Sequence, residues 1–273
     1  MKRALVSVHI RMGLYGNLAW AGGLVLYAAA ISWLYPTISA VEGMGDYLDA
    51  MPEQFRELAG VSDLTQALDE QGFFTFEGFL STEYMSWFPV LLGIYAIISG
   101  VGLLAKDAER GALDIILGQP IHRYAYLLTR AATQISVLGV LVLVSYVTLL
   151  LGAALINEPI SELNLLYAHI VALGLIVSLF SFAVLWSAVF LRTSRAMAVA
   201  GLATVLAYVV NILSPSLGPF DWLEKLSPFA YYESLSLLNT GDIDPVSIVV
   251  YAGIVVAALG VATRVFERRD LVS

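Results

Sequence analysis

Few residues in this chain have the type and spacing to bind a nucleotide or to act as nucleophiles. A phosphate-binding P-loop needs a lysine followed by serine or threonine after a glycine-rich turn. The three lysines, Lys2, Lys106 and Lys225, are instead followed by Arg, Asp and Leu. With no cysteine, the chain also has no thiol nucleophile, disulfide or cysteine metal site. We therefore expect that this chain hydrolyses no ATP and that any ATP-driven step belongs to another chain.

The histidines lack the spacing of a metal site. His9, His122 and His169 are far apart, and none has a second histidine four residues away as in a zinc-binding helix. Three methionines between residues 36 and 86 could bind a soft metal. Apolar packing explains them better, because Met51 lies on an apolar helical stripe. We predict no catalytic residue, no cofactor and no metal on this chain.

The most informative charged stretch is Lys106–Arg123, called the 106–123 loop below. Four of its residues form a narrow apolar stripe at i, i+1, i+4 and i+5: Ala112, Leu113, Ile116 and Leu117. Charged residues occupy the other face, and Gly118 and Pro120 end the helix. The pattern predicts a short amphipathic helix. Such a helix is either a connector on the lipid surface or a docking helix for a cytoplasmic partner.

The amino-acid composition indicates that the segments on either side of this loop cross a membrane. The chain is 59% hydrophobic and 13% charged, whereas a soluble domain is about half apolar and about a quarter charged. A membrane span takes about 20 apolar residues. Six stretches reach or approach this length without an Asp, Glu, Lys or Arg: Leu14–Tyr35, Trp87–Ala105, Ala131–Ile156, Leu165–Leu191, Met197–Leu213 and Val246–Thr263. We predict an all-α polytopic membrane protein with six transmembrane helices, the first being a retained span rather than a signal peptide.

The basic residues predict the orientation, because cytoplasmic loops are enriched in Lys and Arg. With the N-terminus inside, only Arg56 and Lys225 of the 14 basic residues fall outside. An odd number of spans would destroy this partition. We therefore predict that both termini are cytoplasmic. Most acidic residues fall outside, and the net charge of -8 argues against nucleic acid as a partner.

The remaining segments complete a single transmembrane domain, residues 1–273. The extended outer loop, residues 36–86, carries patterns for two short amphipathic helices, 46–60 and 64–70. Aromatic residues that follow, between residues 73 and 88, are typical of an interfacial belt. The last outer segment, residues 214–245, is broken by prolines, and Phe229–Leu238 within it could form a short re-entrant or interfacial helix.

The 106–123 loop resembles the signature of the type-2 family of ABC transporter permeases. That signature is an acidic residue, Glu-Arg/Lys-Gly-Thr-Leu, a few aliphatic residues, then Pro-(Ile/Leu/Val)-x-Arg. The matching positions are Glu109, Arg110, Gly111, Leu113, Leu117, Pro120 and Arg123. Ala112 replaces the usual Thr, and Arg130 stands where Lys is frequent. The resemblance extends over most of the chain and includes Gly72–Leu80 and Leu226–Phe229.

The resemblance implies a membrane-spanning permease subunit of an ATP-binding-cassette exporter in the plasma membrane of a prokaryote. Two copies would pair as a homodimer, and two cytoplasmic P-loop ATPase subunits carrying ATP and Mg would dock beneath them. The 106–123 loop would be the coupling helix, with its seven matching residues contacting the ATPase. Residues 1–12 would form a cytoplasmic elbow on the membrane. The second and fifth spans would face the translocation pathway.

Two other classes of function stay open from the residues alone. A membrane scaffold or sensor would bind a partner through the acidic outer loop. An intramembrane enzyme would need ionisable residues inside its spans, and the six predicted apolar stretches contain no Asp, Glu, Lys or Arg.

A deletion experiment separates the permease from the scaffold. For a permease, we expect a P-loop ATPase to co-purify with the chain, because the chain has no ATP site of its own. A scaffold predicts the opposite: no ATPase associates, deletion of residues 42–80 abolishes function, and the 106–123 loop is dispensable.

Overall fold

The computed structural model describes residues 2–39, 75–113, 118, 122–213 and 218–269, with side chains from residue 13 onward except those of residues 38–39 and 218–221. Six helices are long and apolar enough to cross a membrane, which confirms the prediction. They are Gly13–Thr37, Phe76–Gly102, Arg123–Ile156, Glu162–Phe190, Thr193–Leu213 and Pro245–Arg268. We number them as spans one to six. Each contains one of the predicted apolar stretches or most of it, because a helix continues until a capping residue ends it rather than where hydropathy falls.

The first span belongs to a longer helix, Lys2–Ser39, which contains Pro36. This helix has no break at residue 12, where we predicted the boundary between the elbow and the first span. How residues 2–12 lie relative to the bilayer stays a prediction. The predicted outer-loop helices, 46–60 and 64–70, lie outside the described residues.

The second span is built from three consecutive segments. They are an α-helix Phe76–Phe79, a π-helical stretch Leu80–Met85 and an α-helix Phe88–Gly102. The Oγ1 of Thr75 accepts a hydrogen bond from the Gly78 N–H and so caps the first turn. The span therefore starts well before the predicted position, within what we predicted to be outer loop.

Several shorter helices connect the spans. A helix Ala105–Glu109 follows the second span. Before the sixth span lie two 3-10 helices, Gly218–Leu226 and Pro228–Tyr231, and an α-helix Ser234–Asn239. The candidate re-entrant segment is thus divided into a 3-10 turn and one short helix.

The fourth span is the centre of the bundle. It packs against the second, third, fifth and sixth spans, and the first span packs mainly on the third. In the most apolar window of the fourth span, 72% of residues are buried, against 11% in that of the fifth. The fifth span therefore has the least contact with the rest of this chain, although a membrane would cover its apolar surface.

Glycines let the second span approach the fourth closely. A Cβ added at Gly100 would lie 2.7 Å from the Phe180 carbonyl oxygen and 2.9 Å from the Ala183 Cβ. One added at Gly93 would lie 2.9 Å from Cδ1 of Leu179. Lipid provides little hydrophobic driving force between helices, so close packing of small residues is what holds such spans together.

The aromatic cluster at the start of the second span is core rather than the interfacial belt that we predicted. Phe76, Phe79, Tyr84 and Phe88 are all buried, and only Trp87 among the described members is half exposed. Tyr84 stacks on Phe88, with ring centroids 5.6 Å apart. The prediction was wrong for these four rings because the helix begins at Phe76 and turns them toward neighbouring spans.

The Gly100 contact predicts an asymmetry between two glycine substitutions. We expect Gly100→Ala to destabilise the bundle by about 1–3 kcal/mol, because the new methyl group overlaps backbone that cannot move away. Gly139→Ala in the third span is the matched control, since a Cβ there meets nothing within 4 Å. Unfolding of both variants in mixed micelles would measure the difference. Equal stability of the two would contradict the close packing.

Candidate functional site

The helix ends that carry most of the described basic residues meet at one end of the bundle, which we call the basic end. The second, fourth and sixth spans finish there, and the third and fifth begin there. Its basic residues include Lys106, Arg110, Arg123, Arg192 and Arg269. The 106–123 loop lies at this end, so its side chains can be followed to each span that they contact.

A buried hydroxyl marks the point where the chain leaves the second span. The helix breaks between Gly102 and Ala105. Oγ of Ser187, in the fourth span, accepts the N–H groups of Leu104 at 3.2 Å and Ala105 at 2.9 Å. The same oxygen donates to the Val101 carbonyl at 2.6 Å. Because Ser187 supplies these partners, the backbone can redirect into the loop without leaving buried polar groups unpaired.

The described part of the 106–123 loop differs from the single helix that we predicted. Helix Ala105–Glu109 ends, and Gly111 then adopts a φ of +67°. Helical geometry resumes at Ala112 and Leu113. A left-handed residue cannot continue a right-handed helix, and glycine adopts that conformation without a Cβ clash. Residues 114–117 and 119–121 lie outside the described residues.

Asp107 connects the loop to the third span. Its carboxylate accepts a hydrogen bond from the Tyr126 hydroxyl at 2.7 Å and pairs with the Arg130 guanidinium. The guanidinium also lies 5.4 Å from the centre of the Tyr126 ring. The side chains of Asp107 and Arg130 are about 15% exposed. Removing either partner would leave a largely buried charge uncompensated, so this pair fixes the loop against the third span.

Glu109 connects the loop to the start of the fifth span. One carboxylate oxygen accepts the backbone N–H of Thr193 and the other accepts its hydroxyl, both at 2.8 Å. These bonds, and the nearby charge of Arg192, lower the pKa of the Glu109 carboxyl. The Thr193 N–H is one of the unpaired donors in the first turn of a helix. Glu109 therefore acts as a cap supplied from another segment, with its negative charge at the positive end of the helix.

Two arginines satisfy the ends of other spans. The Arg123 guanidinium donates to the carbonyls of Phe266 and Arg269, at the end of the sixth span. The Arg269 guanidinium donates in turn to the carbonyls of Ala188 and Val189, at the end of the fourth. Cations at helix C-termini satisfy orphan carbonyls and complement the helix dipole.

Five of the seven residues predicted to contact an ATPase are described, and these five are not all exposed. Glu109, Arg110 and Gly111 are exposed, whereas Leu113 is 2% exposed and belongs to the core. Arg123 is partly buried and occupied with backbone carbonyls. Leu117 and Pro120 lie outside the described residues. Besides Glu109, whose carboxylate is engaged by Thr193, the exposed residues in the described part of the loop are Lys106, Arg110, Gly111, Gly118 and His122.

Sequence reasoning missed the residues that receive these contacts. Ser187 lies inside a predicted apolar stretch, and Thr193 lies between two of them. Neither carries a local signal for its role, because each partner lies about 80 positions away in the chain.

The spans also contain buried polar groups that are already paired. Ser145 Oγ lies 2.7 Å from the Tyr84 hydroxyl and 3.0 Å from Nε2 of His169. Nδ1 of His169 lies 2.8 Å from the Leu165 carbonyl oxygen. Among the residues that the structure describes, no group of three or more His, Cys, Asp or Glu could hold a metal ion.

A groove of about 830 Å³ runs between the first and third spans. Its lining is mostly apolar, and four polar residues also contribute to it: Asn17, Thr129, Thr133 and Ser136.

The sequence matches the family described as "ABC-2 family transporter protein" over residues 26–271. That range includes the second to sixth spans, the 106–123 loop and part of the first span. No curated protein matches the chain.

The Ser187 contacts predict a difference between two buried serines of the same span. We expect Ser187→Ala to destabilise the protein by about 1–3 kcal/mol for each backbone group left unpaired. The matched control is Ser181→Ala, because buried Ser181 bonds only to the Val177 carbonyl of its own helix. Hydrogen exchange at the amides of Leu104 and Ala105 should rise in the first variant alone. Unchanged exchange there would contradict the bridging role.

Proposed function

We propose that this chain, which belongs to the ABC-2 family of transporter proteins, forms the translocation pathway of an exporter as a dimer and is driven by a separate ATPase. The chain is a multi-pass permease subunit of an ABC transporter. The observation that carries the proposal is the family match across the spans and the 106–123 loop. The charge partition supports a cytoplasmic basic end, and a prokaryotic plasma membrane is the compartment that we infer.

The ATPase has to come from another chain, since no lysine here stands in a P-loop. We infer that two such subunits, with ATP and Mg, bind at the basic end. Arg110 and Gly111, in the turn that follows Glu109, offer them an exposed side chain and exposed backbone. Leu113, in contrast, supports the loop from within the core. This narrows the proposed contact surface to part of the predicted coupling segment.

The contacts of the 106–123 loop support a transmission role. Asp107 attaches it to the third span and Glu109 to the fifth, while Ser187 of the fourth span holds the break that precedes it. A movement imposed on the loop by nucleotide-dependent closure of the ATPases would therefore act on several spans together. Such a movement would alternate the access of the pathway, as in a two-state switch.

The fifth span supports the dimer proposal. Its described buried residues are Ala196 and Ala200, both near its start. Farther along, its large apolar side chains are exposed: Leu202, Val205, Leu206, Val209, Ile212 and Leu213. We propose that this span lies near the pathway between two copies.

Docking at the exposed turn predicts the effect of reversing one charge. We expect Arg110→Glu to abolish co-purification of the ATPase, because Arg110 is exposed at the proposed contact. Arg268→Glu is the matched control, since it makes the same charge change at an exposed position of the basic end. Both variants should express and fold alike. Equal ATPase recovery from the two would refute docking at this turn.

A further inference from the structure

We propose that Glu109 is a positioning residue that fastens the 106–123 loop to the first turn of the fifth span, so that loop and span move as one body. The proposal rests on the proposed function, because it concerns how a movement of the docking segment reaches the membrane. It reassigns Glu109, which the family resemblance would place against the ATPase. We call the Glu109–Thr193 contact the clasp.

The geometry of the clasp favours an internal role. Both oxygens of the carboxylate are engaged by one residue, through its backbone N–H and its hydroxyl, each at 2.8 Å. A two-point contact fixes direction as well as distance, which a single hydrogen bond does not. The lowered pKa of the carboxyl agrees with a charge held by donors. Glu109 is exposed to water, yet its acceptor oxygens already have partners on this chain.

The charged groups around the clasp come from two elements. Arg192 precedes Thr193 and contributes a favourable charge. On the loop side, Asp107 pairs with Arg130 of the third span. The nearby acidic residue of the loop is thus already compensated, and Glu109 is the carboxylate that connects the loop to the fifth span.

The packing of the fifth span would allow it to move together with the 106–123 loop. It packs on the fourth and second spans and on the short helix Ala105–Glu109. Only Ala196 and Ala200 are buried among its described residues, while Met197 and Tyr208 are partly buried against the core. Its start is joined to the fourth span through Leu191, a non-glycine residue with a φ of +50°. A weakly packed helix held at one end tilts more readily than the buried fourth span, which contacts four others.

The experiment uses the full chain together with its ATPase. The chain has no cysteine, so spin labels can be attached at Lys106→Cys and Ser194→Cys, two exposed positions on either side of the clasp. Dipolar broadening reports their separation, with and without Mg-ATP. Thr193→Val removes the hydroxyl and Glu109→Gln removes the charge. Thr193→Ser keeps the hydroxyl and is the conservative control. ATPase recovery is measured in parallel on unlabelled variants.

We expect a short, narrow label separation in the parent and in Thr193→Ser. The separation should broaden in Thr193→Val, which keeps only the backbone hydrogen bond, and in Glu109→Gln, whose amide keeps one acceptor oxygen. The double variant should be no worse than either single variant, because both remove one interaction. ATPase recovery should be unchanged in all of them. With Mg-ATP, the spectrum of a label at residue 194 alone should change in the parent and stay unchanged in Thr193→Val.

Two results would overturn the clasp. One is a label separation that Thr193→Val leaves intact. The other is loss of ATPase recovery in Glu109→Gln but not in Thr193→Val, which would make Glu109 an ATPase contact. Failure of the proposed function is recognised separately. In that case the parent chain recovers no ATPase, while the label separation still tests the clasp in the chain alone.

Discussion

The hydrogen bonds that the backbone needs at the ends of its helices determine how this bundle is assembled at its basic end. The first N–H groups and the last C=O groups of every helix lack partners within that helix, and lipid offers none. Here the partners come from other spans. Ser187 serves the end of the second span, Glu109 the start of the fifth, Arg123 the end of the sixth and Arg269 the end of the fourth. The contacts that cap these helix ends are therefore also contacts that hold the spans together.

This arrangement separates a fixed centre from a segment that can move. The fourth span is the most buried and contacts most of the others. The fifth is the least buried of the six, and Glu109 holds its first turn. The 106–123 loop lies between them and is attached to both. Under the proposed function, a force applied to this loop would displace the fifth span more than the fourth.

The sequence predicts the membrane spans well because hydrocarbon thickness and backbone hydrogen bonding leave few alternatives for a long apolar stretch. It predicts side-chain roles poorly where these depend on which helix faces meet. Phe79 and Tyr84 belong to an aromatic cluster typical of an interfacial belt, yet both lie in the core. Aromatic side chains are common in both environments, so residue type alone does not distinguish them. The loop motif identified Glu109 and Arg123 as important. Their contacts lie 84 and 143 positions away, and no local pattern encodes such a distance.

The contact of Arg269 with the fourth span has a consequence for how the protein is made. Arg269 follows the sixth span, whereas the carbonyls of Ala188 and Val189 belong to the helix around which the others pack. When only five helices of a nascent chain are in the membrane, the carbonyls of Ala188 and Val189 therefore still lack the hydrogen bonds from Arg269. These hydrogen bonds can form only after the ribosome has translated the sixth span and Arg269. Quality control that senses these unpaired carbonyls would thereby distinguish finished chains from incomplete ones.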